Sequence, residues 1–433
     1  MVMRSALAAM ASALVMSACT SADPLPSATG DARATATATP APAASAIAPA
    51  YAQGLAPTIA AELKADAVPG AVVLVRSAKG DWTAAFGNRT AGGGEAMTTS
   101  DVFRLGDITH TMTASVVLLL QQQGLLALTD PISKYVDGVP NGDRITLADL
   151  GTYNSGLANY TEDPAFAQAY AADPKRTWTP QELLQIAYAH PLETPDLSDA
   201  WVNYSNTDYL LLGMVIEKVT GKPAAQAVRG LVTGPLKLGS MGLSEGAGPL
   251  PDPHPHGYVL AASPFGDPVL TADQRAAVAS GQQQPTDHTA DSMSWAGTAG
   301  GLYANAADTA TFFKSMIDGP WLSAETRANR VARMQGIGIT DPKDVGYGFG
   351  VAKYGQYYLY SGGTPGYNAV VAYDPVAKTT IVALTNLMWE SSGGAPVQGL
   401  FARITDAVDP GPAPIAPIAV RPTLTRAELA PCP

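Results

Sequence analysis

The sequence predicts an α/β (α+β) protein: an antiparallel sheet flanked by helices and interrupted by an inserted, mainly helical domain. Three observations lead there. Strand-like runs lie at both ends of the globular region, with Gly70-Ala-Val-Val-Leu-Val-Arg76 and Trp82-Thr-Ala-Ala-Phe86 early and Tyr347–Val351, Tyr357–Tyr360, Ala369–Tyr373 and Thr379–Leu384 late. Between them, from about residue 130 to 285, the pattern is of helices and long loops, punctuated by Trp178, Pro180, Pro235 and Pro251. One segment, Phe103 to Gly124, is apolar nearly all round, as a helix in the middle of a large domain must be. Strands, then helices, then strands is the order of a sheet domain split by an insertion.

The elements follow in chain order. Met1 to Ala18 has one positive residue, Arg4, an apolar run from Ala6 to Met16 and then small residues, which reads as a secretory signal too short to span a membrane. Met16-Ser17-Ala18-Cys19 resembles a bacterial lipobox, so Cys19 is expected to carry lipid and tether the chain to a membrane of the cell envelope. Residues 19–50, rich in Ala, Thr and Pro, cannot bury apolar surface and are expected to form a disordered spacer. The chain has two cysteines; with Cys19 lipidated, Cys432 is left over and no structural disulfide is expected.

The globular part starts near Tyr51. Leu55–Leu63 reads as a helix, and Lys79-Gly80-Asp81 as the turn of the first hairpin. The sheet domain is assigned to residues 51–106 and 286–408, the helical domain to 107–285, and a Pro-rich tail to 409–433. Val397–Val408 closes the fold as a helix. At 433 residues the chain is ample for a sizeable core. Its net charge of −11, with no Lys/Arg-rich run, argues against a nucleic-acid partner.

In the central segment Asp107 is a favoured N-cap type, followed by Met112, Val116, Val117, Leu118, Leu119 and Leu120, with Gly124 as a stop. Its frame, Phe103-Arg104-Leu105-Gly106-Asp107-Ile108-Thr109-His110-Thr111-Met112-Thr113-Ala114, resembles the F-R-x-G-S-x-T-K-x-x-T-A of the serine β-lactamase and D-alanyl-D-alanine carboxypeptidase superfamily. Gly124 to Tyr135 resembles the superfamily's next segment. Further matches come in the right order: Ile145–Leu150 leading to Tyr153-Asn154-Ser155-Gly156-Leu157, Tyr204-Ser205-Asn206 for Y-x-N, Ala299-Gly300-Gly301-Leu302, and Tyr360-Ser361-Gly362 where relatives have K-T-G or H-x-G. The resemblance covers roughly residues 55 to 408 and implies the β-lactamase/transpeptidase-like fold.

Three positions depart from that frame. Asp107 stands where the superfamily has its nucleophilic Ser, His110 where it has the activating Lys, and Tyr360 where it has a cation. The resemblance implies that Tyr204 relays protons and Asn206 binds substrate; both could instead serve only to hold the two domains together. Asn206, Tyr360, Ser361 and Gly362 are the expected substrate-binding positions, and Asp107, His110 and Tyr204 the candidate catalytic ones. Asp107 and His110, three apart on one helical face, could form an ion pair, the helix N-terminus favouring the carboxylate and the carboxylate a protonated imidazole. Asp107 could equally do no more than cap the helix.

Two functional readings follow. One is a non-catalytic member of the fold that binds an envelope ligand or partner protein. The other is a hydrolase of carboxypeptidase, esterase or β-lactamase type, in which Asp107 and His110 activate water and Tyr204 donates a proton. Ser361 as a relocated nucleophile lacks an obvious base, and a metal on Asp107 and His110 lacks ligands. His254-Pro-His256 is expected to pack a loop, Lys353 to be exposed, and His190 and His288 carry no pattern. No cofactor and no metal are expected. The expected partners are a small-molecule or cell-wall ligand and, through lipid, a membrane.

Overall fold

A computed structural model describes residues 48–192, 203–332 apart from 245, 247 and 249, then 334–336 and 345–409. The predicted signal, Cys19 and nearly all of the spacer lie outside the described residues, as do Trp201, Val202, Cys432 and the tail beyond Asp409.

Eight strands form the main sheet: β1 (Gly70–Arg76), β2 (Trp82–Gly87), β3 (Gln335–Gly336), β4 (Val345–Gly348), β5 (Val351–Tyr354), β6 (Tyr357–Thr364), β7 (Tyr367–Asp374) and β8 (Thr379–Thr385). Their spatial order is β2-β1-β8-β7-β6-β5-β4-β3, with every neighbouring pair antiparallel. The early hairpin therefore joins the late strands through β1 and β8, with Val73 opposite Ala383. Two strand readings are corrected. Tyr347–Val351 is not one strand: a turn at Phe349 and Gly350 divides it between β4 and β5. β6 runs four residues past Tyr360, to Thr364.

Both faces of the sheet are covered, as strands apolar on both sides require. Alternation sends Ala71, Val73 and Val75 of β1 toward helices α1 (Ala50–Ala65) and α5 (Pro396–Val408), where they meet Leu55, Ile59, Leu400, Phe401 and Ile404. Val72 and Leu74 point the other way, into a larger core shared with α2 (Ile108–Gln122), α3 (Asn206–Thr220) and α4 (Ala306–Asp318). That core runs without interruption from the sheet into the helical region.

Helix α2 is the axis of the larger core, with Ile108 to Leu120 buried on every side. Two glycines fix where it begins. Gly106 has φ +52°, a left-handed conformation that favours glycine. A Cβ on Gly362 of β6 would stand 2.2 Å from Leu105 O and 2.5 Å from the Asp107 N atom. Backbone thus packs on backbone, and the mouth of α2 is pinned against the second half of β6. No helix among the described residues is long and apolar enough to cross a membrane.

Candidate functional site

The site is built where the first turn of α2, the residues leading into α3 and the second half of β6 converge. Asp107 and Tyr204 are part-exposed; His110, Asn206 and Tyr360 are buried. The Asp107 side chain does not cap its helix. Its Oδ1 accepts from the Tyr204 hydroxyl at 2.6 Å, and its Oδ2 from the Gly363 N–H at a long 3.4 Å. Protein packed around the carboxylate raises its pKa to about 6, and the hydrogen bonds from Tyr204 and Gly363 only partly oppose that rise. Desolvation outweighs the helix N-terminus, against the expectation of a firmly ionised Asp107.

His110 points the other way, into the core. Its ring stacks on Tyr209 at 3.9 Å between centroids, with 17° between planes. Asn206 Nδ2 donates to Thr161 Oγ1 at 3.1 Å, which leaves Asn206 Oδ1 to accept from His110 Nε2–H at 3.2 Å. The imidazole is then the Nε2–H tautomer, and its Nδ1 lone pair accepts from one of two phenols within reach, Tyr153 or Tyr360 (2.9 Å). Burial pushes the His110 pKa down to about 3, so the ring is neutral. The expected Asp107–His110 ion pair does not form: each side chain hydrogen-bonds other partners, and the imidazole carries no charge.

Around His110 the phenols close into a network. Tyr153 and Tyr360 hydroxyls are 2.6 Å apart, Tyr347 reaches Tyr360 at 3.1 Å and Tyr209 at 3.0 Å, and Tyr209 donates to Gly151 O at 2.9 Å. Burial holds all of these phenols protonated, well above their ordinary range. None is a base at neutral pH.

Two substrate-binding expectations are corrected by this geometry. Tyr360 is only 5% exposed and engages His110, Tyr153 and Tyr347 through its hydroxyl, so it faces the core. Ser361 pairs with Val370, a residue of the core beneath α1 and α5, so its side chain leaves the sheet on the face opposite Tyr360. It shares no hydrogen bond with Asp107, Tyr204 or Asn206, and as a relocated nucleophile it is out of place. Gly362 contributes its closeness to Asp107 and no side chain. Asn206 is in place, its Oδ1 lying 3.1 Å from the Tyr204 hydroxyl as well as accepting from His110.

Sequence reasoning missed the roles of Tyr153, Tyr209 and Tyr347. Tyr153 stood in the matched segment before Ser155-Gly156-Leu157 with no role assigned to it; the other two carried no signal, because only the fold brings strand β4 and helix α3 together. Elsewhere His256 bonds Asp287 at 2.6 Å, His254 lies 3.0 Å from Asp252, and His190 bonds Asp163 at 2.5 Å. No group of residues able to hold a metal occurs among the described residues.

The sequence family described as Beta-lactamase matches residues 55–396, which spans both the sheet and the helical region. The chain belongs to the beta-lactamase family. Among curated relatives it is 22% identical over 285 residues to PbpX of Bacillus subtilis (strain 168), named for penicillin binding, across 66% of this chain and 62% of that one. It is 32% identical over 142 residues to the D-alanyl-D-alanine-carboxypeptidase/endopeptidase AmpH of Escherichia coli (strain K12), across 32% of this chain and 35% of that one. Each match spans less than two thirds of the relative's own length. Among solved structures a D-stereospecific amidohydrolase from Streptomyces superposes with a TM-score of 0.69 and 28% identity, covering 83% of this chain and 99% of that one. In this beta-lactamase-family chain the site therefore lies on a shared fold, with an Asp, a neutral His and a cluster of phenols at its centre.

Proposed function

We propose that this protein is an exported, lipid-anchored member of the beta-lactamase family without serine acyl-transfer activity, acting as a ligand-binding or regulatory protein at the cell envelope. The reading places Asp107 at the family's nucleophile position and His110 at that of its activating amine. Acyl transfer requires a hydroxyl, a base to take its proton, and donors for the developing oxyanion. One observation carries the proposal: the Asp107 carboxylate itself accepts from Tyr204 and from the Gly363 N–H, so an anion already engages the donors that a reacting carbonyl needs. His110, buried and neutral, is too weak a base to substitute for the amine. Loss of the nucleophile from a comparable serine site costs on the order of 10⁶ in kcat. A ligand carboxylate 4 Å from ionised Asp107 meets about 4 kcal/mol of repulsion at an effective dielectric near 20. Anchoring rests on Cys19 and export on the apolar run before it.

A second reading is favoured by a separate observation. A carboxylate with a pKa of about 6 is suited to general-base work near neutral pH, and Tyr204 is hydrogen-bonded to it as a proton donor. The protein is then a hydrolase of altered chemistry, related in reaction to the amidohydrolase and carboxypeptidase named above. Labelling with a fluorescent penicillin and a fluorophosphonate, beside an Asp107→Ser/His110→Lys double variant, separates the possibilities. The proposal expects an unlabelled wild type. Labelling of the double variant alone shows that the cleft lacks only its reagents; labelling of the wild type overturns the proposal. Hydrolysis of D-alanyl amides or esters by an unlabelled wild type supports the second reading.

A further inference from the structure

Among the described residues no Lys, Arg or His nitrogen lies within ion-pair distance of the Asp107 carboxylate. The groups that interact with it from neighbouring elements are uncharged phenols, Tyr160 and Tyr204 from the helical region and Tyr360 from β6, while His110 on its own helix points away and is neutral. An ionised carboxylate offers about four acceptor directions. Tyr204 occupies one at 2.6 Å, and Gly363 N–H approaches another at only 3.4 Å. Asp107's own backbone N–H lies close to the carboxylate as well, and the residue is part-exposed at the mouth of α2. A partly desolvated anion at the mouth of α2, with neutral phenols about it and no cation among the described residues, suits a ligand that brings positive charge and N–H donors.

We propose that the cleft binds the primary ammonium group of a small ligand, with the Asp107 carboxylate as its counter-ion and the Tyr204 phenol holding that carboxylate in place. This rests on the non-catalytic reading above and names its ligand class. It inverts the charge selectivity expected of a cleft that receives a ligand's carboxylate. A primary ammonium fits better than a quaternary one, because the free lone pairs of Asp107 need hydrogen-bond donors as well as charge.

The test is calorimetric titration of the full chain at pH 7 with D-alaninamide, whose α-amino group is mostly protonated there, and with D-lactamide, which carries a hydroxyl instead. The amine is expected to bind about tenfold tighter or more. Asp107→Asn, with circular dichroism to confirm its fold, is expected to erase that preference. In the wild type the preference is expected to fade as pH falls from 7 to 5 and Asp107 takes up its proton. Equal affinity for both amides, no binding of the amine at millimolar concentration, or a preference that survives at pH 5 and in Asp107→Asn overturns the inference. Ammonia release in the same samples reads the functional proposal separately. Turnover with the amine preference intact overturns the non-catalytic reading and keeps the ammonium site; loss of the preference without turnover does the reverse.

Discussion

Replacing Asp107 by Asn should make this protein more stable at neutral pH, although the residue is hydrogen-bonded and central to the site. In the unfolded chain the carboxyl titrates near its ordinary 3.8; in the folded protein it titrates near 6, because burial disfavours the charge. The folded state thus holds the proton more tightly. Below the ordinary value both states are protonated and the group is neutral in its effect. As pH rises from 3.8 through 6 the unfolded chain ionises first, and the native state loses stability relative to it. At 1.36 kcal/mol per pH unit the loss reaches about 3 kcal/mol by pH 7.5, and is about 1 kcal/mol at pH 4.5. An Asn keeps the shape and can still bond Tyr204 and accept from Gly363, while the charge is gone. Urea denaturation of wild type and Asp107→Asn across pH 4.5 to 7.5 should show the variant's advantage growing by roughly 2 kcal/mol over that range. An advantage that stays flat with pH, or a variant less stable than wild type at pH 7.5, refutes the assignment of Asp107 as an uncompensated carboxylate.

Other outcomes follow from the same geometry. Gly362→Ala drives a Cβ into Leu105 O and the Asp107 N atom; since both are backbone, the mouth of α2 must shift, and a loss of about 2–3 kcal/mol is expected in denaturant unfolding. Tyr153→Phe and Tyr360→Phe each remove one of two phenols on His110 Nδ1, at about 1 kcal/mol apiece, whereas the double variant strands a buried acceptor and should lose about 1–3 kcal/mol beyond the sum, measured as a double-mutant cycle. The proposed lipid anchor, which rests on the sequence alone, predicts that Cys19→Ser moves the protein from the membrane to the soluble fraction and abolishes incorporation of a labelled fatty acid.

Much of the fold was legible in the sequence because it depends on pattern. The edges of β1 and the buried run of α2 follow from apolar spacing, and a helix apolar on every side can lie only in a core. The split between β4 and β5 was not legible, since Phe349 and Gly350 continue the apolar run and only the packing around them makes the turn. For the site, motif order brought Asp107, His110, Tyr204 and Asn206 to one place, and all four are there. The charge of His110 was misread. Residues three apart on a helix suggest a pair, yet Asp107 turns to the Gly363 N–H and Tyr204 while His110 turns inward to Asn206 and the phenols.

The sequence by itself determined that an antiparallel sheet carries an inserted helical region and that a buried helix opens on an Asp where the resembling frame has a Ser. These are properties of local pattern and residue identity. Only the tertiary structure decided that His110 is neutral, that Tyr360 faces the core, that Ser361 leaves the sheet on the far face, and that the Asp107 carboxylate has no cation beside it among the described residues. Ionisation and side-chain direction depend on which groups are desolvated together, and residues as far apart as 107, 153, 204, 347 and 360 meet only when the chain is folded.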